Sequence, residues 1–502
     1  MATPRGSQRR LRVLIAPDAF KGSLDAAAAA QAIAAGWRRQ RPQDQLDLCP
    51  LADGGDGFGP VLARLLGAEP RDCDTVDAAG RPRRARWWLA PAPRLPLPMA
   101  HLPMATASAR PSIAIVESAE AIGLALLPPA LRHPLPVDAA RWGAQGRDHV
   151  DPGRVALTDT PPDGVAPSNR SGVDLGVDHP DRDSPGRGCS GLDSCALGSH
   201  SPKTRSPESR SPESRSPETR DHESRGLDSW GLAPLLLAAA QGGADLLLLG
   251  LGGSATNDGG FGLAQALGWR FFDSKGAAIL RWSDLWQLRR LEPPQRPSPL
   301  PPLVIAVDVR NPLLGPEGAS AVYGPQKGLT DQEVQRAEAC LRRMAECLDS
   351  SHPGLAERPG SGAAGGLGYG LQVFCGGQLR AGEELVAELC GLEARVAAAD
   401  LVIGGEGRFD RQSLMGKGTG RLLRRAQRAG RPSLLLVGQL EREALHHAQV
   451  EAAQKGCVVA GRALAPDLTD QARAEAAPAL WLERLAKRTA SDLDALSPSS
   501  AP

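Results

Sequence analysis

Five loops of this 502-residue chain combine glycine with aspartate and lysine, residue types that bind phosphate groups and divalent cations. They are PDAFKGSL (17–24), LADGGDGF (51–58), GGSATNDGG (252–260), DVRNPLLGPEGAS (308–320) with YGPQKG (323–328), and GGEGRFDRQSLMGKG (404–418). Glycine-rich turns let backbone N–H groups approach an anion closely, and aspartate oxygens suit Mg²⁺. Lys21, Lys327 and Lys417 carry charge that neutralises phosphate. If these loops meet at one cleft, they form a phosphoryl-transfer site.

The acid–base groups of these loops are carboxylates rather than imidazoles. None of the nine histidines lies in any of the five loops, so histidine-based acid–base or metal chemistry is not expected. The carboxylate candidates are Asp18, Asp53, Asp56, Glu117, Asp258, Asp308, Glu406 and Asp410. A carboxylate base suits a kinase, in which positioning and charge neutralisation supply most of the rate.

Familiar nucleotide motifs fit these loops poorly. The GKG at 416–418 lacks the Ser or Thr that completes a P-loop. Residues 250–255, GLGGSA, fit the G-x-G-x-x-A form of the dinucleotide fingerprint, and Asp273 lies about twenty residues further on. Gly259 and Gly260 would interrupt the helix that holds the pyrophosphate in that fold. A nicotinamide-dependent oxidoreductase that uses this loop is therefore kept as an alternative.

The elements that must position these loops are short apolar strands alternating with helices, which predicts α/β architecture with mostly parallel sheets. Strands are predicted at 11–16, 45–49, 113–116, 245–251, 304–307, 401–403 and 433–437, and a hairpin is predicted at 74–89. Helices are predicted at 25–39, 58–66, 230–241, 330–348, 381–397 and 419–429. Active sites of such sheets lie at the carboxyl ends of the strands, where the five loops begin.

The segment 135–224 interrupts this pattern. Between 181 and 224 its large apolar residues are Leu192 and Leu197, and four pentads follow one another: SPKTR, SPESR, SPESR and SPETR. Ordering a residue costs roughly 1–2 kcal/mol of backbone entropy, and little apolar surface is present to offset it. We predict a disordered insertion. A tolerated repeat expansion is favoured, and a weakened kinase fold that displays this segment to a partner protein is a second alternative.

Composition and charge exclude several classes of protein. Lys and Arg number 58 against 57 Asp and Glu, so the chain has no electrostatic footprint for nucleic acid. No apolar run approaches the roughly 20 residues of a membrane span, and the basic N-terminus lacks the apolar region of a signal peptide. The nine cysteines form no C-x-x-C pair, which is typical of reduced thiols. We expect a cytoplasmic enzyme with a small-molecule substrate, and the sequence predicts no oligomeric state.

Taken together, the loops resemble the motifs of the bacterial glycerate kinase family, of the type that forms 2-phosphoglycerate. The matching segments are IAPDAFKGSL (15–24), LADGGDGF, GLGGSATNDGG (250–260), VDVRNPLLGPEGAS (307–320) with YGPQKG, GAAGGLGYGL (362–371) and GGEGRFDRQSLMGKG. They occur in the order of the family and span 11–134 and 225–440. The resemblance is weaker at LDSW (227–230) and at VGQLERE (437–443), where the sequence departs from the pattern of the family.

The resemblance implies phosphorylation of D-glycerate to 2-phosphoglycerate with ATP and Mg²⁺. It also implies two α/β domains, one inserted in the other. Carried onto this chain, 11–66 and 300–490 would form the first domain, and 67–299 would form the second, which 135–224 interrupts. Residues 1–10 and 491–502 are expected to be disordered tails.

The resemblance further implies a role for each matching position. The catalytic residues would be Lys21, Asp53, Asp258, Asp308, Glu406 and Lys417. Nucleotide phosphates would bind Gly252, Gly253, Ser254, Thr256 and Lys327. The substrate would contact Asp18, Ser23, Glu117, Ser229, Arg408 and Asp410. Asp53 and Asp308 would hold Mg²⁺, and Lys21 or Arg408 would bind the glycerate carboxylate.

Overall fold

The computed structural model describes residues 9–55, 57–91, 112–135, 226–296, 300–415 and 418–493. The predicted insertion 135–224 lies outside the described residues except for Leu135, and so do most of the two predicted terminal tails. No helix within the described ranges is long and apolar enough to cross a membrane.

The described part has the predicted α/β architecture. Its strands are β1 (Arg12–Ile15), β2 (Gln45–Leu48), β3 (Glu69–Val76), β4 (Pro82–Pro91), β5 (Ser112–Glu117), β6 (Leu246–Gly250), β7 (Arg270–Phe272), β8 (Arg290–Glu292), β9 (Leu303–Val307), β10 (Gln378–Ala381), β11 (Leu401–Gly404), β12 (Arg408–Phe409), β13 (Ser433–Leu440) and β14 (Val459–Ala465). Its α-helices are α1 (Ala26–Gln40), α2 (Phe58–Leu66), α3 (Ala119–Ile122), α4 (Leu232–Gln241), α5 (Phe261–Ala266), α6 (Ala319–Tyr323), α7 (Asp331–Leu348), α8 (Ala363–Cys375), α9 (Gly382–Leu389), α10 (Leu392–Ala398), α11 (Arg411–Leu414), α12 (Gly418–Arg428), α13 (Arg442–Gln454), α14 (Gln471–Ala476) and α15 (Pro478–Ser491). Single 3₁₀ segments lie at Leu124–Leu126, Pro129–Leu131, Trp282–Gln287 and Pro325–Lys327.

The first sheet joins the two ends of the described chain. Its strand order is β12–β13–β11–β1–β2, and β14 also pairs with β13. All of these pairs are parallel. Helices α1 and α15 cover one face, where Ile33 and Leu482 pack with Val13 and Ile15 of β1. The carboxyl ends of β1, β2 and β11 consequently open on the same edge of this sheet.

The second sheet has the order β10–β9–β6–β5–β4–β3. Strands β5, β6, β9 and β10 run parallel, and β4 pairs antiparallel with both β3 and β5. The β3–β4 hairpin turns across 77–81, as the sequence predicts. A separate two-stranded sheet is formed by β7 and β8.

Strand β6 shows why the apolar runs become central strands. All five of its residues are buried, as is typical of a parallel strand covered on both faces. Leu247 and Leu249 belong to the apolar cluster on one face of the sheet, whereas Leu246 and Leu248 belong to the cluster on the other face. The alternation of strand side chains thus divides a single leucine run between two cores.

The strand pairing bears on how the chain divides between the sheets. Strands β9 and β10 fall within 300–490, the range expected to belong to the first domain, yet β9 pairs with β6 and β10 pairs with β9 in the second sheet. Strands β11 to β14 lie in the first sheet. The chain therefore returns to the first sheet only after β10. The domain boundaries themselves stay a prediction.

One predicted helix is divided by a glycine, and several observed elements have no counterpart in the prediction. The helix predicted over 381–397 is two helices, α9 and α10, because Gly391 between them has φ +63°. Helices α13, α14 and α15 and strand β14 were not predicted from the sequence, which shows no glycine-rich loop or strong apolar run in that region.

Candidate active site

A cavity of about 460 Å³ lies at the carboxyl edge of the first sheet, where the loops after β1 and β11 face strand β14 and helix α14. We call it the Lys21 cavity. It is lined by seven of the residues that the sequence predicts for the site: Asp18, Lys21, Ser23, Asp53, Glu406, Arg408 and Asp410. These residues come from three separate loops. They lie together because active sites of parallel α/β sheets form at the carboxyl ends of the strands.

The two cations of the Lys21 cavity extend into solvent. The side chain of Lys21 is 79% exposed, and its Nζ lies 4.0 Å from Asp53 Oδ2. The side chain of Arg408 is 68% exposed, and its Nε lies 3.7 Å from Asp410 Oδ2. Ion pairs at this exposure contribute little to stability, so both cations are accessible to an incoming anion at small cost.

Two carboxylates of the Lys21 cavity, those of Asp18 and Asp410, accept hydrogen bonds from backbone N–H groups. Asp18 accepts a hydrogen bond from the N–H of Ala19 at 2.7 Å. Burial, with smaller contributions from Asp53 and Glu406, raises the pKa of Asp18 to about 7. Asp410 accepts the N–H groups of Gln412 and Ser413 at the start of α11, which fixes its carboxylate at that helix end.

A second cavity, of about 620 Å³, opens at the carboxyl edge of the second sheet. We call it the Lys327 cavity. The predicted site residues that line it are Glu117, Gly252, Gly253, Ser254, Asp308 and Lys327. Glu117 ends β5, Gly252, Gly253 and Ser254 follow β6, Asp308 follows β9, and Lys327 ends the 3₁₀ segment beyond α6. The 252–260 loop, Asp308 and Lys327 therefore border a different cavity from Lys21 and Arg408.

Lys327 is a buried cation, only 5% exposed. Its Nζ donates to the carbonyl of Thr256 at 2.6 Å and lies 3.4 Å from Ser254 Oγ. Burial lowers the pKa of Lys327 to about 8. Its hydrogen bonds go to neutral oxygens, and the carboxylate of Asp258 favours its charged form. A buried ammonium that borders a cavity next to backbone N–H groups is suited to bind an anion.

The two cavities approach each other at Asp53 and Asp308. Asp53 lines the Lys21 cavity and Asp308 lines the Lys327 cavity. A Cβ atom at Gly55 would lie 3.0 Å from Asp53 Oδ1 and 3.4 Å from Asp308 Oδ2, so both carboxylates reach the same small volume. At Gly54 the same loop packs against the backbone of Ala306 in β9. The loop after β2 thus leaves the first sheet and ends at the second.

This pair of carboxylates is suited to hold Mg²⁺. That ion commonly takes one or two protein carboxylates and completes its coordination with water and substrate phosphates. No cluster of three or more His, Cys, Asp or Glu capable of binding a metal occurs among the described residues, so a cage built from protein ligands alone is absent there. Asp53 and Asp308 are therefore the residues that would bind such an ion together with a nucleotide.

Glu117 connects the loop of Asp53 to the second sheet. It ends β5, and its two carboxylate oxygens accept the N–H groups of Gly57 and Gly59, each at 3.0 Å. The sequence predicts substrate binding for Glu117, and it does line the Lys327 cavity. Its hydrogen bonds also make it the anchor for the loop that carries Asp53.

Three predicted residues line neither cavity. Asp258 is fully buried; its Oδ2 accepts Ser229 Oγ at 2.7 Å, and its carboxylate also accepts the N–H groups of Ser229, Gly260 and Gly262. The hydroxyl of Thr256 is buried without a hydrogen-bond partner, although its carbonyl accepts Lys327. Asp258 and Ser229 thus fix the shape of the 252–260 loop from behind.

Lys417 and Asp56 lie outside the described residues. The residue after Lys417 is informative, because a Cβ atom at Gly418 would lie 2.7 Å from Asp18 Oδ2. The first residue of α12 therefore contacts a carboxylate of the Lys21 cavity.

Several cavity residues were not singled out from the sequence. Arg132, Tyr323 and Gln326 line the Lys327 cavity, and Gln439 and Gln471 line the Lys21 cavity. Tyr323 and Gln326 belong to the YGPQKG motif, and Gln439 belongs to a segment that departs from the family pattern. Both segments were noted in the sequence, so these three residues could have been found from it. Arg132 and Gln471 carried none, because no motif surrounds them.

The loop after β6 does not have the geometry of a dinucleotide site. Gly259 and Gly260 have φ values of +62° and +84°, and α5 begins only at Phe261. A dinucleotide fingerprint needs its glycines at the entry to the helix that holds the pyrophosphate. The oxidoreductase alternative for residues 250–255 loses its main structural support.

Comparison with known proteins identifies the family that this chain matches. The model of the glycerate kinase family matches residues 13–153 and 214–493. A glycerate kinase of Halalkalibacterium halodurans is 29% identical over 432 residues, which cover 85% of this chain and 85% of that protein. A glycerate 2-kinase of Escherichia coli K12 is 29% identical over 435 residues, which cover 86% of each chain.

A solved structure from Salmonella typhimurium LT2, assigned as a glycerate kinase 2, matches with a TM-score of 0.63. It is 28% identical, and the match covers 97% of this chain and 99% of that chain. The family model alone spans well over half of the sequence and includes all five loops. The chain belongs to the glycerate kinase family.

Proposed function

We propose that this protein transfers the terminal phosphoryl group of ATP to the 2-hydroxyl of D-glycerate, with Mg²⁺ held by Asp53 and Asp308. The observation that carries the proposal is the approach of these two carboxylates beside Gly55. Each belongs to a different cavity, one bordered by exposed cations and one by a glycine-rich loop. Phosphoryl transfer needs two binding sites that meet at a metal-binding point, since positioning and electrostatics supply the catalysis.

The Lys327 cavity is proposed to bind the nucleotide. Gly252 and Gly253 follow β6 and offer backbone N–H groups, and Ser254 adds a hydroxyl at the cavity wall. The buried ammonium of Lys327 lies 3.4 Å from Ser254 Oγ and would gain a phosphate as a charged partner in addition to Asp258. A desolvated cation is worth more to an anionic ligand than an exposed one, because the protein has already removed its water.

The Lys21 cavity is proposed to bind glycerate. Lys21 and Arg408 are cationic groups of this cavity that can take the substrate carboxylate, and both are exposed enough to reach it. An arginine can bind a carboxylate through two parallel hydrogen bonds, which also fixes its orientation. With the carboxylate held there, the substrate hydroxyl groups would point toward Asp53.

The proton of the attacking hydroxyl is proposed to pass to a carboxylate of the same cavity. Asp18 and Glu406 line the Lys21 cavity beside Asp53, and they follow adjacent strands of the first sheet. Bound Mg²⁺ would supply the neutralisation of negative charge on the phosphates. Attack at the 2-hydroxyl is proposed because the matched Escherichia coli protein is named a glycerate 2-kinase.

The proposal is tested by incubating the protein with ATP, Mg²⁺ and D-glycerate and recording proton-coupled ³¹P NMR spectra. A phosphate on C2 couples to one proton and gives a doublet, whereas a phosphate on C3 couples to two and gives a triplet. We expect the doublet. A triplet would overturn the assigned position, and unchanged ATP with a folded protein would overturn the reaction. L-glycerate is the matched control for stereochemistry.

A further inference from the structure

Arg132 is a second cation in the lining of the Lys327 cavity. The described lining also contains the carboxylates of Glu117, Glu120 and Asp308, so its carboxylates outnumber its cations. A phosphate chain carries several negative charges, and a site that binds one must supply more positive charge than Lys327 alone. The proposed reaction assigns no role to Arg132.

The guanidinium of Arg132 is anchored at one nitrogen. Its Nε donates a hydrogen bond to the carbonyl of Leu127 at 2.8 Å. Its Nη groups make no hydrogen bond or ion pair within the described part of the chain, and the residue is exposed. Because the Nε contact already restricts the side chain, a ligand that binds the Nη groups costs less conformational entropy than it would with a free arginine.

The turn that anchors Arg132 is itself bonded to the glycine-rich loop after β6. Leu127 directly follows the 3₁₀ segment Leu124–Leu126. The N–H of Leu124 donates to the carbonyl of Gly253 at 2.7 Å. The guanidinium is thus connected, through one short turn, to the loop whose backbone N–H groups border the same cavity. Such support from a neighbouring element positions a binding group before its ligand arrives.

The backbone of Arg132 lies against the residue that follows Lys327. A Cβ atom at Gly328 would lie 3.0 Å from the carbonyl oxygen of Arg132, and Gly328 has a φ of +98°, which favours glycine. The next residue is held as well, since His133 Nε2 lies 3.3 Å from Glu333 Oε1 of α7. Arg132 therefore contacts the segment of Lys327 through its backbone and the turn beside the β6 loop through its side chain.

We propose that Arg132 is a nucleotide-binding residue, whose Nη groups bind phosphate oxygens in the Lys327 cavity together with Lys327. This inference rests on the proposed binding of ATP in that cavity. A guanidinium presents parallel N–H donors that match two oxygens of a phosphate, whereas the ammonium of a lysine acts as a point charge. Lys327 therefore neutralises charge on the phosphates, and Arg132 fixes their orientation.

Arg81 provides a matched control, because it supports the same turn and is not in the described lining of the Lys327 cavity. Its Nη2 donates to the carbonyl of Leu126 at 3.2 Å, and its Nε donates to Asp77 Oδ2 at 2.7 Å. Loss of support for the turn should therefore affect R81Q and R132Q alike. Loss of a phosphate contact should affect R132Q alone.

Binding of ATP and Mg²⁺ to the full-length protein, measured by isothermal titration calorimetry without glycerate, tests the contact. R132Q should raise the Kd by about five- to twentyfold, since a charged hydrogen bond at an exposed position is lost. R132K should raise it by only about two- to fivefold, because it keeps the charge and loses the parallel donors. R81Q should stay close to wild type. A wild-type Kd in R132Q, or equal weakening in R132Q and R81Q, would overturn the proposal.

Steady-state kinetics separate this inference from the proposed function. In R132Q the KM for ATP should rise, while the KM for glycerate should stay within about twofold of wild type, because the contact is made with the nucleotide alone. An equal rise in both KM values would overturn the inference. A wild-type protein that binds ATP without phosphorylating glycerate would overturn the proposed function and leave the binding result for R132Q standing. Normal wild-type turnover with unchanged ATP binding in R132Q would overturn the inference alone.

Discussion

The Lys21 cavity and the Lys327 cavity use their cations in opposite ways. Lys21 and Arg408 extend into solvent with side-chain exposures of 79% and 68%, while Lys327 is buried and bonded to the carbonyl of Thr256. A cation in solvent keeps its hydration and binds an anion weakly. A desolvated cation binds an anion more strongly, and its loss leaves that anion unpaired. The contrast supports the proposal of a preorganised phosphate site in the Lys327 cavity and an open site for a small acid in the Lys21 cavity.

The loops that line the two cavities also differ in how firmly they are fixed. The 252–260 loop is fixed from behind by Asp258, which is fully buried and bonded to Ser229 and two further backbone N–H groups. The loop after β1 is held mainly by short-range turns such as Ser23 Oγ to the carbonyl of Phe20. Substitutions should therefore affect the Lys327 cavity more strongly than the Lys21 cavity, except at the carboxylates where the two meet.

The largest effect is expected where the cavities meet. D308N removes a charge from the proposed metal pair while keeping the shape of the side chain, and kcat should fall by roughly 10²–10³-fold. Steady-state kinetics with ATP and D-glycerate measure this loss. D273N is the matched control, since Asp273 stabilises a turn by accepting the N–H groups of Lys275 and Ala277, and it should keep normal turnover. A D308N enzyme as active as D273N would disprove a role for this carboxylate.

The next effect separates the two cavities. K327M should raise the KM for ATP by about 10- to 100-fold with little change in the KM for glycerate, because a buried cation is lost. K21M should raise the KM for glycerate by only about three- to tenfold, because Lys21 is exposed. Measuring the KM for ATP and the KM for glycerate in both variants should show that each variant affects mainly one of the two values. A reversed pattern would exchange the ligands of the two cavities.

ATP binding in the Lys327 cavity should depend on pH, because it depends on the protonation of Lys327. Its pKa is lowered to about 8, so in the free protein the side chain is charged below that pH and neutral above it. The value of kcat/KM for ATP should therefore fall as pH rises through 8, by up to about tenfold per pH unit. In K327M this decrease should disappear. A wild-type profile that stays flat up to pH 9.5 would contradict a role for this ammonium in binding ATP.

A smaller effect on turnover is expected at Asp258, which the sequence alone presents as equivalent to Asp308. D258N should lower the free energy of unfolding by about 2–4 kcal/mol, because one oxygen that accepts several hydrogen bonds is replaced. The kcat of the folded fraction should stay within about threefold of wild type. Denaturant unfolding and active-site-normalised kinetics separate the two quantities. A stable D258N protein with a kcat as low as D308N would make Asp258 catalytic.

The smallest effect is expected outside both cavities. Residues 154–213 fall between the two segments that match the family model. Deleting them should leave kcat and both KM values within about twofold of the full chain, since a long connection adds only a slowly growing entropy. Kinetics of the deletion variant test this point. A loss of turnover in a folded deletion variant would favour the alternative in which this segment takes part in function.

Much of the fold could be predicted because strand signals in this chain are strong. The leucine run of β6 and the β3–β4 hairpin appear at their predicted positions. The location of the loops at the carboxyl ends of the strands was also predicted, although the loops are divided between the edges of two sheets. Helices α13 to α15 escaped prediction because they carry mixed Ala, Arg and Glu sequences without motifs, and their positions depend on packing against the first sheet.

The roles of individual aspartates could not be predicted because they depend on tertiary contacts. Asp258 and Asp308 both stand in glycine-rich loops after buried strands. Only the fold shows that Ser229 closes over Asp258, whereas Asp308 borders a cavity. Likewise, the bonds from Gly57 and Gly59 to Glu117 join residues about sixty positions apart, and no local pattern signals such a pairing.

The central claim is that nucleotide phosphates bind in the Lys327 cavity and glycerate in the Lys21 cavity, with Asp53 and Asp308 between them. A crystal structure of the protein with a non-hydrolysable ATP analogue, Mg²⁺ and D-glycerate tests it most directly. The account predicts phosphate oxygens at Gly252, Gly253 and Lys327, and the glycerate carboxylate at Lys21 or Arg408. Triphosphate density in the Lys21 cavity, or a metal ion away from both aspartates, would contradict it.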